Sequence, residues 1–490
     1  MPSWAPCDNT FTIAKATEMS SRAASVVALL LCVSPFPLAA QPVPRAAGSW
    51  IGTLQVGPAQ LRIVFNITAD STGALSATLD SPDQGATGIP VSSVTLTGDS
   101  LKLGVLAVSG GYAGRMETGD TAITGTWMQG GMSLPLTLRR TGTRPVLSRP
   151  QTPAPPYPYR EEEVSYESLV PGVRLAGTLT IPPGSGPFPA ALLISGSGAQ
   201  DRDETIFGHK PFLVLADYLT RRGIAVLRLD DRGVGGSTGS TMESTTEVLG
   251  QDVLAGVRYL KGRERIDGAR IGLIGHSEGG LVAPVAASKT QEVAFVALLA
   301  APGLPGEQIL LRQTDDVLRA AGAGDAEIER ARATNARIYA TMEDERDSAL
   351  LAQKVRAILR ESHAAESPGG QEEAGSQAAI DAQVKMITSP WFRFFVGYDP
   401  RPALRSVTCP VLVLHGEKDI QVAPVENQRE ILKALGEGGN ARVSSAVLPG
   451  LNHLFQTAPT GAVSEYGTIE ETFAPVALEA IGTWIADVIR

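Results

Sequence analysis

The 490-residue sequence predicts an α/β fold, in which a doubly wound parallel sheet with a helical cap insertion is preceded by a small all-β domain. Residues 46–140 carry short alternating or apolar runs between Gly, Asp, Asn and Pro turns, typical of a small sandwich or barrel. From residue 161 to residue 490, mostly apolar strands alternate with helix-like segments, as in a parallel sheet covered on both faces. Between about 304 and 403 that alternation gives way to charged, helix-prone sequence, which predicts the cap.

The first forty residues have the pattern of a secretory signal peptide. Arg22 precedes the apolar run 23–33, and the small residues Ala39 and Ala40 follow it. The run is too short to span a bilayer, and Met19 is a plausible true start. We therefore expect an exported bacterial protein, periplasmic or secreted.

Composition narrows the function classes. A hydrophobic fraction of 43% and a charged fraction of 19% are ordinary for a soluble globular protein, and the net charge of -9 argues against a nucleic-acid partner. Cys7 and Cys32 would leave with the signal peptide, so Cys409 alone would remain and no intramolecular disulfide could form. A lipoprotein signal at Cys32 is the alternative, which the bulky Leu31 before it disfavours.

The N-terminal region offers no ionisable cluster for chemistry. We expect Trp50 and Trp127 to fill the core of the small β-domain, and the alternative is an exposed role in contacting carbohydrate or lipid. The proline-rich stretch 141–160 predicts an extended linker to the second domain.

In the second domain, an antiparallel pair leads into a series of buried strands and helices. The pair is predicted at 164–168 and 173–181, the further strands at 190–194, 225–229, 271–274, 295–299, 411–414 and 443–448, and one amphipathic helix at 247–261.

One strand leads directly into a candidate nucleophile. The stretch Gly275-His276-Ser277-Glu278-Gly279 follows the strand 271–274 and precedes an apolar helix, so it matches the G-x-S-x-G turn that exposes a serine hydroxyl. The same pattern occurs around Ser237, but there it lies in a Gly/Ser/Thr-rich tract, which predicts a loop. We take Ser277 as the nucleophile and His276 as merely the variable residue of the motif.

A serine nucleophile needs a base, and that base needs an orienting acid. Asp419 follows the strand 411–414, and His453 is the one histidine beyond it, again after a strand. The order Ser277, Asp419, His453 fits this type of fold. Glu417 is the alternative acid.

An oxyanion requires two backbone N–H donors. One is expected from Glu278, directly after the nucleophile, and the other from Ser197, or else Gly198, in the loop after the strand 190–194. No Lys-Ser/Thr pair follows this loop, which argues against nucleotide binding.

The cap should supply the substrate pocket. Its polar tract 362–377 reads as a mobile loop, and an aromatic tract follows it. Trp391, Phe394 and Phe395 are the candidates to line an acyl pocket, and packing at the hinge of the cap is the alternative.

Together these motifs identify a family. Residues 161–490 resemble the α/β-hydrolase superfamily in its secreted esterase and serine-peptidase-like branches. The resemblance rests on Ser195-Gly-Ser-Gly198, Leu229-Asp-Asp-Arg-Gly-Val-Gly-Gly-Ser237, Gly275-His-Ser-Glu-Gly279, His415-Gly-Glu-Lys-Asp419 and Asn452-His453. It implies Ser277 as nucleophile, His453 as base and Asp419 as acid; the oxyanion loop departs from the family by beginning with Ser195 where a histidine is often found.

The leading functional expectation is hydrolysis of a carboxylic ester through an acyl-enzyme, with a small acyl substrate and no metal or organic cofactor. A peptidase or amidase using the same triad is the alternative; it would need an anchor for a substrate terminus, for which Glu343, Asp344 and Glu345 are candidates. A non-catalytic binding module built on the β-domain is a third hypothesis, which a complete triad disfavours.

Overall fold

The computed structural model describes residues 45–56, 59–84, 86–129, 132–142, 148–366 and 374–490. The predicted signal peptide, with the start at Met19, lies outside these ranges. Within them, none of the helices is both long and apolar enough to cross a membrane.

The N-terminal domain is one curled antiparallel sheet of nine strands. They are β1 Gly48–Val56, β2 Ala59–Ala69, β3 Leu75–Ser81, β4 Ala86–Pro90, β5 Ser93–Thr97, β6 Ser100–Val105, β7 Gly110–Met116, β8 Ala122–Gln129 and β9 Met132–Thr141. Their order is β4-β3-β2-β1-β9-β8-β7-β6-β5, so β1 pairs with β9 and the edges are β4 and β5. Trp50 and Trp127 are buried in its apolar core, as predicted, and the hypothesis of exposed tryptophans is wrong.

The proline-rich segment before the second domain is anchored along its described part. The guanidinium of Arg149 donates to the carbonyls of Gly467 and Ile469, each at 2.9 Å. The amide of Gln151 donates to the carbonyl of Phe473 at 2.7 Å, and the hydroxyl of Tyr159 donates to Asp217. The segment is therefore held against the second domain by specific hydrogen bonds.

The second sheet has eight strands. They are β10 Arg160–Glu167, β11 Arg174–Ile181, β12 Phe188–Ile194, β13 Ala225–Leu229, β14 Ile266–His276, β15 Phe295–Leu299, β16 Val411–Gly416 and β17 Val443–Leu448. The order is β10-β11-β13-β12-β14-β15-β16-β17, with β10 and β11 antiparallel and β12 to β17 parallel. All predicted strands are present, with the central one longer than expected.

Helices cover both faces of this sheet. They are α1 Pro211–Arg221, α2 Thr246–Lys261, α3 Gly279–Ala287, α10 Pro424–Glu437 and α11 Pro475–Val488. One apolar core lies between the sheet and α2, α3 and α10, and a second lies between the sheet and α1 and α11. This is the predicted doubly wound layering.

The cap consists of six helices inserted between β15 and β16. They are α4 Gly306–Ala320, α5 Asp325–Asp344, α6 Ser348–Glu366, α7 Ala374–Ile387, α8 Pro390–Gly397 and α9 Arg401–Arg405. The ends of the tract 362–377 are helical, because α6 continues to Glu366 and α7 begins at Ala374, and its centre, 367–373, where the predicted loop would lie, is outside the described residues. Helices α5 to α8 share an apolar core of their own, which explains why the polar surface sequence is helical.

Candidate active site

Ser277 lies on a strained turn between β14 and α3. Its φ of 51° is in the left-handed region, which a residue with a Cβ adopts only when the surrounding structure imposes it. Its N–H donates to the carbonyl of Leu299 at 2.9 Å, which fixes the turn to the neighbouring strand. The predicted turn is therefore present, and it carries Ser277 at the carboxyl edge of the sheet.

The two glycines of the motif are required by close backbone approach. A Cβ on Gly275 would lie 2.1 Å from the carbonyl oxygen of Gly279, and a Cβ on Gly279 would lie 2.1 Å from that of Ile194. Such separations are far inside van der Waals contact, so strand and helix can pack here only without side chains. Ser237, in the other motif match, lies in a loop and donates to the carbonyl of Asp230 at 2.7 Å, as predicted.

The structure brings His453 and Asp419 together. The Nδ1 atom of His453 lies 2.8 Å from Oδ2 of Asp419, and both residues are buried. The other carboxylate oxygen of Asp419 accepts the backbone N–H groups of Gln421 and Val422, each at 2.8 Å. These bonds hold the carboxylate in one orientation, with its free edge on the imidazole.

Glu417, the alternative acid, is directed elsewhere. Its side chain is exposed, and it accepts the backbone N–H of Gly450 at 2.8 Å. Asp419 is the carboxylate that contacts the histidine.

The predicted oxyanion loop lies against Ser277. A Cβ on Gly196 would be 3.2 Å from the Cβ of Ser277, and Ser197 and Glu278 line the same cavity as Ser277. The backbone N–H of Gly196 donates to Glu204 at 2.7 Å, so this amide of the loop is already engaged, and Ser197 and Gly198 stay the candidate donors.

The side chain of Glu278 connects the nucleophile turn to the cap. The indole N–H of Trp391 on α8 lies 3.0 Å from both carboxylate oxygens, and the hydroxyl of Thr246 lies 3.2 Å from one of them. Burial raises the pKa of Glu278 above its usual range, while hydrogen bonds from Trp391, Ser197 and Thr246 lower it in part. The residue after Ser277 thus fixes the position of a cap helix.

A buried pair that the sequence analysis overlooked lies beside the histidine. His276 contacts Glu204 through Nδ1 at 2.9 Å and the backbone carbonyl of His453 through Nε2 at 3.0 Å. His276 was interpreted only as the variable residue of the motif, and its pairing with Glu204 was not predicted. The one sequence signal for a carboxylate near His276 was the acidic run that follows the predicted oxyanion loop. No spacing rule relates Glu204 in that run to the G-x-S-x-G motif.

A cavity of about 320 Å³ opens over Ser277 between the sheet and the cap. Its apolar wall includes Trp391, Phe392 and Phe395 from α8. The prediction of Trp391 and Phe395 at this cavity agrees with the structure, but Phe394 lies on a neighbouring face of the helix. Phe394 lines a separate cavity and stacks on Tyr398, because residues one position apart on a helix point about 100° apart.

The charges around the cavity are few. Among the described residues that line it, the ionisable ones are His276, His453, Glu204 and Glu278, with no lysine or arginine. In the described part of the chain, no group of three or more His, Cys, Asp or Glu side chains could hold a metal ion.

Two curated esterases are similar to this chain. Esterase EstD of Thermotoga maritima is 29% identical over 300 residues, covering 61% of this chain and 61% of that protein. Esterase FrsA of Yersinia enterocolitica is 34% identical over 127 residues, covering 26% of this chain and 28% of that protein. The chain therefore matches less than two thirds of the length of either relative.

Solved structures and a family model complete the comparison. The structure of the Pyrococcus furiosus esterase Pf2001 is 17% identical with a TM-score of 0.41, covering 68% of this chain and 91% of that one. The alpha/beta hydrolase family model matches residues 191–465, more than half of the 490 residues. That range includes the Ser277 turn, the predicted oxyanion loop and the Asp419–His453 pair. The chain belongs to the α/β-hydrolase family.

Proposed function

We propose that this protein is a serine hydrolase that cleaves carboxylic esters through a Ser277-His453-Asp419 triad. The observation that carries the proposal is the 2.8 Å contact of His453 with Asp419, at a cavity that Ser277 also lines. The names of the two curated relatives, both esterases, support the same reaction class.

In the proposed mechanism, the Ser277 hydroxyl attacks the ester carbonyl while Nε2 of His453 accepts its proton. Because Asp419 accepts the hydrogen bond from Nδ1, it holds the tautomer in which Nε2 is free to act as base, and it stabilises the imidazolium that forms. The imidazolium then protonates the leaving alcohol. Water, activated by His453, releases the acid from the acyl-enzyme and regenerates Ser277.

The negative charge of each tetrahedral intermediate develops on the former carbonyl oxygen. We assign the backbone N–H groups of Glu278 and Ser197 as its two donors. Glu278 begins the turn into α3, so the positive end of that helix dipole adds to the stabilisation.

The cavity favours a small, uncharged substrate. Its volume of about 320 Å³ is near the lower end of ligand pockets, and aromatic residues form one wall. The described cavity residues include two carboxylates and no lysine or arginine, and His276 is already paired with Glu204, so an anionic group would have to compete for that partner. We therefore propose neutral esters with short or medium acyl chains as substrates.

The carboxylates that were expected to bind a substrate terminus in a peptidase do not line this cavity. Glu343 lines the separate cavity that Phe394 also lines, and Glu345 pairs with Lys354 at 2.9 Å. Within the Ser277 cavity, Glu204 is paired with His276, and Glu278 already accepts from Trp391. A substrate ammonium would have to displace one of these contacts, which favours the esterase.

The test is hydrolysis of p-nitrophenyl esters of increasing chain length beside aminoacyl-p-nitroanilides. We expect turnover of the shorter esters by the native chain and a loss of at least about 10³-fold in Ser277→Ala, since the nucleophile is removed. Ser237→Ala is the matched control, because it alters the other motif match, and it should keep its activity if thermal unfolding shows it folded. Anilide turnover equal to ester turnover would favour the peptidase, and Ser277-independent turnover would refute the proposed mechanism.

A further inference from the structure

The pair formed by His276 and Glu204 is buried and strained. The two residues are almost fully shielded from solvent: 7% of the surface of His276 and 4% of that of Glu204 is exposed. Glu204 has a φ of 52°, a left-handed conformation that is costly for a residue with a Cβ. A strained residue in a buried ion pair requires strong compensation from its surroundings. The contacts of Glu204 therefore indicate that the pair holds neighbouring parts of the structure in place.

Both nitrogens of His276 face acceptors. Nδ1 faces the carboxylate of Glu204, and Nε2 faces the carbonyl of His453, as given above. A neutral imidazole carries one N–H only, so satisfying both acceptors requires the imidazolium. Burial lowers the pKa of His276, but the charge and the hydrogen bond of Glu204 more than offset this, and the pKa is raised overall.

The pair connects three separate parts of the active site. His276 ends β14, directly before Ser277, and it donates to the backbone of the loop that carries His453. Glu204 accepts the N–H of Gly196, directly before Ser197 in the oxyanion loop. One ion pair thus fixes the nucleophile turn, the base and the oxyanion loop relative to each other.

We propose that His276 and Glu204 are positioning residues, which hold His453 and the oxyanion loop in reactive geometry. The proposal rests on the esterase function proposed above. Neither side chain takes part in bond making or breaking; each acts through the backbone it holds. Without the pair, the N–H of Gly196 loses its carboxylate acceptor and the carbonyl of His453 loses its donor.

Other ionisable groups facing the pair are few. The ring of His453 lies 4.9 Å from that of His276, centroid to centroid, and Asp419 adds negative charge from the other side of His453. Asp231, held by Ser195 at 2.8 Å, lies near Glu204 across the oxyanion loop. Because these groups lie close to His276, the pH dependence of kcat is compared between variants and is not assigned to a single group.

The test compares Glu204→Gln, His276→Gln and the double variant. Because displacement of a catalytic group by about 1 Å costs about 10²-fold in rate, we expect kcat to fall about 10²-fold while KM changes by less than about threefold. If the residues act as a unit, the double variant should be no slower than the slower single variant. We also expect the alkaline limit of kcat in Glu204→Gln to move to lower pH, since His276 loses the charge that keeps it protonated.

Glu465→Gln is the matched control, because Glu465 also accepts backbone N–H groups, those of Thr460 and Gly461, in a loop of the same domain. It should keep the native kcat. Glu204→Asp preserves the charge but shortens the reach, so it provides a second folded variant, which should also lose kcat. Thermal unfolding checks each protein.

A second readout separates this inference from the proposed function. Labelling of Ser277 by a fluorophosphonate measures the reactivity of the serine without an ester substrate. If the native chain is not labelled, the proposed function fails. If it is labelled and folded Glu204→Gln reacts at the native rate, or if the two single effects multiply in the double variant, the inference is overturned.

Discussion

Replacing Asp419 by asparagine should remove most activity and leave the fold intact. The Oδ1 atom of an asparagine could still accept the N–H groups of Gln421 and Val422, which lie 2.8 Å from the present carboxylate oxygen. Its NH₂ group would then face Nδ1 of His453, which must become an acceptor. The proton would move to Nε2, the atom that has to take the proton from Ser277.

The expected loss follows from this wrong tautomer. In serine hydrolases the same change costs about 10⁴-fold in kcat, or about 5 kcal/mol of transition-state stabilisation. The assay is hydrolysis of a short p-nitrophenyl ester, with kcat and KM measured separately. Thermal unfolding should place the variant close to the native protein, because the two backbone bonds remain.

Glu417→Gln is the control for this prediction, since Glu417 is the neighbouring carboxylate and is exposed. It should keep the native kcat. If Asp419→Asn stays within tenfold of the native rate, or if Glu417→Gln loses as much, the assignment of Asp419 is wrong.

Three further changes test other parts of the structure. Gly279→Ala should abolish ester turnover, because its Cβ would lie 2.1 Å from the carbonyl oxygen of Ile194; native turnover in a folded variant would contradict this. Trp391→Phe removes the N–H that binds Glu278 and should lower the free energy of unfolding by about 2 kcal/mol, measured by urea denaturation; an unchanged midpoint would speak against that bond. Burial lowers the pKa of His209 to about 4, below its unfolded value, so the stability it supports is complete above about pH 6.5 and is lost as the pH falls towards 4. His209→Gln should flatten the dependence of unfolding free energy on pH in that window, and an unchanged slope would refute the assignment.

The parallel sheet was readable from the sequence because its strands are buried on both faces. Runs such as Phe295–Leu299 are wholly apolar. When such runs alternate with amphipathic helices, few arrangements other than a parallel sheet covered on both faces can bury them. The cap was harder to predict. Its helices α5 to α8 bury only a narrow apolar stripe in a core of their own, so the polar ends of the tract 362–377, which are helical up to Glu366 and from Ala374, were not recognised as helix.

The positions of Ser277, Asp419 and His453 at one edge of the sheet could be predicted because each residue follows a strand, and the carboxyl ends of parallel strands meet at that edge. For that reason the sequence by itself determined the fold class, the candidate serine and the order of its partners. Only the tertiary structure decided which side chains from distant parts of the chain come into contact. It separated Phe394 from Phe395 by the rotation of α8, and it brought Glu278 against Trp391 across 113 residues. It also joined His276 to Glu204 across 72 residues, because such contacts form only when separate loops pack together and leave no periodic trace along the chain.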